Sequence, residues 1–276
     1  VPYKGGGGVG DSPAALSKST VGTDKLTLTA SPMYAMVLIH EDASSDSIVA
    51  AFPFIRDAIS RSLAMGLRLC LMNGDTAASH QDAIATWNTR GYFGAHDVAN
   101  DYRKTFKGLR AMAIDDSNTE DRSTHSLQTL FSDINAVGGP RAVPSEMPII
   151  TSPEGYLRNF VGLSGIVAAS DYGAAAAPIA TGEVARIAGH PIIMTDALTA
   201  DLNNSGVYDG VTTDKTGYIV LNRGMFRRVL RAGSTISLQN DITVAGTYMR
   251  ARQRVGFQDM SKSGDKAVRY AIKMAT

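Results

Sequence analysis

Between His40 and Asp75 the chain reads HEDASSDSIVAAFPFIRDAISRSLAMGLRLCLMNGD, and Ile48, Phe52, Ile55, Ile59, Leu63, Leu67 and Leu71 recur at intervals of three and four residues. That period places them on one face of an α-helix, an apolar stripe that the rest of the fold must cover. A helix over about 45–72 has roughly 27 residues and a length of about 40 Å. Ser45 or Asp46 is positioned to cap its start, and Glu41, Asp42 and Asp46 crowd the positive end of its dipole. Pro53 either bends the helix or marks its true beginning. Asn73-Gly74-Asp75 supplies the stop, with Gly74 expected at positive φ. Its core residues are expected to be Ile55, Ile59, Leu63 and Leu67, with Arg56, Asp57, Arg61 and Arg68 on the solvated face.

Elsewhere the signals are shorter. KLTLTA (25–30) alternates like a strand, and MYAMVLI (33–39) reads as a buried one. Residues 76–123 show little periodicity. SLQTLFSDINAVGG (126–139) is a second helix, ending at a glycine pair. EMPIIT (146–151) is a short strand, followed by a helix with Ser152 as cap, Pro153 in its first position and Glu154 near the dipole. Residues 171–182 are a small-residue loop, and EVARIAGHPIIMTDAL (183–198) is two strands joined through Gly189-His190-Pro191. DLNNSGVYDGVTTDKTG (201–217) is a turn-rich surface loop, and YIVLNRGMF (218–226) a strand broken at Asn222-Arg223-Gly224. In the tail, ITVAGTYMRARQRVGFQ, strand alternation puts Arg250, Arg252 and Arg254 on one face and Met249, Ala251 and Val255 on the other. Three cations at period two make a line that a neighbour's carboxylates would match, so they are candidate subunit contacts.

Composition sets limits. With 276 residues, 44% hydrophobic, 19% charged and a net charge of +1, the chain has ordinary globular character and no global field calling for nucleic acid or an anionic membrane. No stretch approaches the ~18 apolar residues of a membrane span. Cys70 is the single cysteine, on the flank of the helical stripe, where a buried thiol is expected. The five histidines, His40, His80, His96, His125 and His190, show no metal-ligand spacing. GLSG (162–165) does not fit a nucleophile elbow, and adjacent Asp115 and Asp116 point apart on any regular element. No nucleophile, base and orienter assemble, and neither a catalytic residue nor a cofactor or metal is expected.

The order of motifs is more informative than any one of them. A Gly/Ser-rich arm leads into KLTLTA and MYAMVLIHEDASSD; the long helix ends in LCLMNGD; MPIITSPEGYLRNF, ATGEVARIAGHPIIMTDAL, GYIVLNRGMF and ITVAGTYMRARQRVGF follow. From about residue 14 to 270 this resembles the major capsid proteins of tailed bacteriophages, the Hong Kong 97-like shell fold. The resemblance implies an α+β subunit that self-assembles, as pentamers and hexamers, into an icosahedral head around double-stranded DNA. It implies a non-enzymatic role in the virion, assembly in the host bacterial cytoplasm, and scaffolding, portal and decoration proteins as partners, with no membrane. Residues 1–31 would belong to the extended loop, with Leu16 and Val21 as contacts to a neighbouring subunit. Residues 32–145, with the spine helix at 45–72, and the returning segment 242–276 would form the peripheral domain, and residues 146–241 the axial domain. The family's N-terminal arm and outgoing loop strand have no counterpart here, which suggests an incomplete sequence. An encapsulin or gene-transfer-agent shell on the same fold is the alternative.

KGGGGVGDS (4–12) offers an enzymatic reading. Gly5 and Gly10 match the phosphate-loop spacing, and Gly5, Gly7 and Gly10 match G-x-G-x-x-G. Only Val1-Pro2-Tyr3-Lys4 precedes them, too short for the required buried strand, and Asp11 stands where a lysine should meet the phosphates. Four successive glycines favour a loop. Equilibrium dialysis with ATP is expected to show no saturable binding; binding that Gly10→Val abolishes would overturn this reading.

Overall fold

A computed structural model describes residues 27–41, 51–82, 101–138, 143–168, 182–212, 214–261 and 265–275. The glycine-rich segment 4–12, Leu16 and Val21, residues 45–50 with the candidate caps, and the loop at 171–181 lie outside them. In chain order the strands are β1 (Ser31–His40), β2 (Thr119–Asp121), β3 (Ile149–Thr151), β4 (Ile166–Ala168), β5 (Glu183–Ile187), β6 (His190–Met194), β7 (Lys215–Leu221), β8 (Phe226–Asp241), β9 (Gly246–Asp259) and β10 (Val268–Ala275). The α-helices are α1 (Ala51–Asn73), α2 (Leu109–Asp115), α3 (Leu127–Asn135) and α4 (Pro153–Asn159).

Two sheets share α1. One is a three-stranded antiparallel sheet ordered β1-β9-β8; the other has seven strands ordered β2-β10-β7-β3-β6-β5-β4. Ile59 and Leu63 of α1 are buried with Met33, Met249, Ala251 and Val255 of the first sheet, and Ile55 and Leu67 pack partly buried against them. One turn on, Leu69 and Met72 enter a different core with α2 and Ile219, Leu221 and Tyr270 of the second sheet. Phe52, although on the apolar stripe, remains 37% exposed. The opposite face of the second sheet carries Tyr218 and Val220, covered by α3 and α4 through Leu130, Ile134, Tyr156 and Phe160. Strand β7 therefore feeds two cores with alternate residues, which explains the unbroken apolar run of YIVL.

Two pairings set the strand order of the second half of the chain. Strand β8 (226–241) pairs with β9 along the hairpin, and β10 (268–275) lies between β2 and β7 in the seven-stranded sheet. The physical reason is burial: Val268, Tyr270, Ala271 and Met274 are fully buried, which a central strand provides and an edge does not.

Local chemistry accounts for the element boundaries. Ser126 and Thr129 form a reciprocal capping box at α3. Ser152 accepts from the Gly155 amide at α4, with Pro153 in the first turn. The β5–β6 turn is Ala188-Gly189, at φ +47° and +86°, as a two-residue hairpin with both residues left-handed requires. It lies one residue earlier than the sequence suggests, because His190 and Pro191 pair with Ile187 and Arg186 in the ladder.

The Asn73-Gly74-Asp75 stop works differently from the expected left-handed cap. Gly74 is not among the positive-φ residues of the described chain. Its amide donates to the Cys70 carbonyl (2.9 Å), and its own carbonyl accepts from the Gly108 amide (2.7 Å). A Cβ on Gly74 would sit 2.5 Å from the Phe106 carbonyl oxygen and 2.6 Å from that of Cys70; one on Gly108 would sit 2.6 Å from the same Cys70 oxygen. Two backbones touch, and neither position has room for a side chain. Asn73 donates from Nδ2 to the Ala197 carbonyl (2.6 Å). Asp75 accepts from the His80 amide (3.0 Å), the Ala77 amide (3.0 Å) and the Ser79 hydroxyl (3.2 Å). Burial opposes its ionisation, but these donors outweigh it and hold the carboxyl below the usual range. Gly74→Ala is expected to destabilise the chain by about 1–3 kcal/mol or more in urea unfolding. Gly162→Ala, with nothing within 4 Å of the added carbon, is the control and should change stability by less than about 0.5 kcal/mol.

Candidate functional surfaces

Strand β9 is the middle of the three-stranded sheet, so both its edges are paired and its side chains alternate between the two faces. Met249, Ala251 and Val255 point at α1 and are buried. The pairing register sets Arg250 beside Met36 and Ser237, Arg252 beside Tyr34 and Thr235, and Arg254 beside Pro32. The Arg252 and Arg250 guanidinium carbons lie 5.7 Å and 6.0 Å from the Tyr34 ring centroid, within cation–π range. Arg254 donates to the Ala30 carbonyl at 3.4 Å. Among the described residues none of the three arginines has a carboxylate partner, and the Nε atoms of Arg252 and Arg254 are buried without an acceptor. Exposed Arg227, paired with Gln258, extends the same charge, whereas exposed Arg228, paired with Phe257, lies on the other face.

Apolar surface also remains. Strand β1 is an edge, and between it and α1 runs a cleft of about 530 Å³ lined by Met33, Ala35, Val37, Ile55, Ile59 and Leu63. Ile242, at the end of the β8–β9 hairpin, is 95% exposed.

The polar groups that sequence reading missed are buried ion pairs. Asp82 and Arg110 are both fully buried, 2.7 Å apart, and Asp82 also accepts from the Thr199 hydroxyl (3.2 Å) and the Tyr208 amide (2.9 Å). Asp133 of α3 accepts from Arg122 Nε (2.7 Å) and Nη2 (2.6 Å), from Arg269 Nε (3.1 Å) and from the Tyr218 hydroxyl. Burial, and then Asp133, push the Tyr218 phenol up. The one available signal was an arginine inside the apolar run GLRAMAI, a position a cation occupies only when paired. These groups join layers and show no arrangement of nucleophile, base and orienter. Cys70 is fully buried and bonded to the Tyr102 carbonyl at 3.1 Å; burial first, then Asp101, push its thiol well up, so it is no thiolate. Among the described residues no group of three or more His, Cys, Asp or Glu side chains is placed to hold a metal, and no helix is long and apolar enough to cross a membrane.

By sequence, the chain matches no protein-family model and no curated protein. By structure it is similar to the capsid of Ralstonia phage GP4, with a TM-score of 0.57 at 10% identity, over 95% of this chain and 81% of that one. It is similar to the capsid of a native GTA particle, with a TM-score of 0.55 at 14% identity, over 99% and 82% of the two chains. It is also similar to the SrpI encapsulin of Synechococcus elongatus, with a TM-score of 0.52 at 12% identity, over 88% and 73%. The fold is the α+β Hong Kong 97-like capsid fold.

One titratable group outside these surfaces gives a pH test. The His125 ring lies 5.1 Å from that of Phe160 and 5.4 Å from that of Tyr218, and neither ring nitrogen has a partner. Burial depresses its pKa below the ordinary histidine value; Asp133 opposes this and Arg122 adds to it. The folded state thus binds fewer protons than the unfolded one, so this contribution is present above about pH 6.5 and is lost as pH falls below it. Urea unfolding is expected to show lower stability at pH 5 than at pH 7, and His125→Phe is expected to reduce that difference. An unchanged difference would show that His125 does not titrate on unfolding.

Proposed function

We propose that this chain is the major capsid protein of a tailed bacteriophage, a structural subunit that self-assembles into an icosahedral shell enclosing double-stranded DNA. The observation that carries this is the correspondence over 95% of the chain with a solved phage capsid, together with surfaces suited to contact. Residues 1–31, including Leu16 and Val21, act as the extended loop reaching a neighbour. Arg250, Arg252 and Arg254 act as subunit contacts. Residues 32–145, with the spine helix α1, and the returning segment 242–276 act as the peripheral domain, and residues 146–241 as the axial domain. Pentamers and hexamers, with scaffolding, portal and decoration proteins, complete the head, assembled in the bacterial cytoplasm.

The similarity to an encapsulin supports a second reading, a protein-filled compartment on the same fold. Negative-stain imaging of the purified chain should show closed particles. Particles that protect double-stranded DNA in an infected cell support the virion reading; particles that retain one cargo enzyme and no DNA support the encapsulin reading. A chain that stays monomeric under all assembly conditions would contradict both.

A further inference from the structure

We propose that the arginine face of the three-stranded sheet is one half of a head-to-tail contact between copies of this chain, and that the acidic loop of residues 195–212 is the other half. The inference rests on the shell reading above and goes on to name the two surfaces that meet.

Charge segregation is the first support. Residues 226–259 carry six arginines and two aspartates, a net of +4, whereas the whole chain is +1, so the remainder is −3. A face meant for nucleic acid is expected to leave the protein with a cationic excess. Here the countercharge is carried by the same molecule, as self-association of identical copies requires. The loop of residues 195–212 holds Asp196, Asp201 and Asp209 and no Lys, Arg or His. Asp196 pairs with Arg68 of α1 at 3.0 Å, both side chains about half exposed. Among the described residues no ion pair joins Asp196 or Asp209 to the arginine face within one chain.

The loop is also held in shape before any partner arrives. Asp82, locked against Arg110, accepts from Thr199 and from the Tyr208 amide. Asp209 accepts from Asn203 (3.0 Å) and from the Val211 and Thr212 amides (2.9 Å each). Val211 stands 87% exposed between these anchors. On the other surface Tyr34 (51% exposed) and Met36 (62%) lie among the arginines. Each side therefore offers apolar contact within a charged rim, and the arginine–tyrosine cluster is of the composition that dominates interface energetics. Because the two surfaces differ, the contact is heterologous, the kind that closes into a ring when the rotation between copies divides the circle, the form a pentamer or hexamer takes.

The test uses the full-length chain, with particle yield read by velocity sedimentation and imaging. Arg250→Glu with Arg252→Glu is expected to lower yield about tenfold or more, as like charges then face one another. Asp196→Arg with Asp201→Arg is expected to do the same, and all four substitutions together to restore yield towards wild type. Val211→Glu, at a site exposed enough to leave the subunit's melting temperature unchanged, is expected to lower yield as well. Assembly of the arginine variant at wild-type yield would overturn the proposal, as would a combined variant no better than its halves. Particles that form normally but bind less DNA would make the face a nucleic-acid surface, which also overturns it. Failure of the wild-type chain to form any particle is visible before a variant is made and removes the shell reading itself.

Discussion

The structure turns on a place where two backbones touch. At the end of α1 the Gly74 carbonyl accepts from the Gly108 amide, and the Cys70 carbonyl crowds both glycines so closely that neither tolerates a Cβ. This junction fixes where the long helix stops and where α2 starts. It also sets the depth of the last turns of α1, where Cys70 faces the three-stranded sheet while Leu69 and Met72 face the seven-stranded one. A helix buried on two sides cannot shift without disturbing both cores, because close-packed interiors do not deform continuously. In the proposed shell role, that rigidity lets contacts made on one sheet constrain the other.

Buried charge completes the coupling. The Asp133 cluster ties α3 to β10 and β7 through Arg269 and Tyr218, and the Asp82–Arg110 pair ties α2 to the loop after β6. Such pairs add little net stability beside an apolar replacement. Removing one partner strands the other, a cost of about 3–5 kcal/mol. Their effect here is to fix geometry: the acidic loop is positioned by the same carboxylate that pairs with α2.

Much of this was legible where the cause is local. The period of the α1 stripe, the Ser152-Pro153 start of α4 and the alternation of β9 depend on neighbours within a few residues, and the structure has each. What was not legible depends on partners far along the chain. Gly74 looks like a left-handed cap from sequence; the need for glycine comes from the Phe106 and Cys70 carbonyls that crowd it. Arg110 and Asp82 are 28 residues apart, and Arg269 and Asp133 are 136 apart, with no periodicity between them to pair them. Strand β10 follows the β9 hairpin in sequence, yet its burial on both faces sends it to the middle of the other sheet. The arginine face was visible as a line of charge, whereas the absence of a carboxylate partner for it among the described residues required the structure.

The coupling through α1 is tested most directly by native-state hydrogen exchange at increasing urea. The account predicts that the amides of residues 63–73, of β9 and of β7 exchange through one cooperative opening, at the free energy of global unfolding. Loss of protection in α1 and β9 at lower urea, while β7 stays protected, would show that the two sheets are independent units and contradict it.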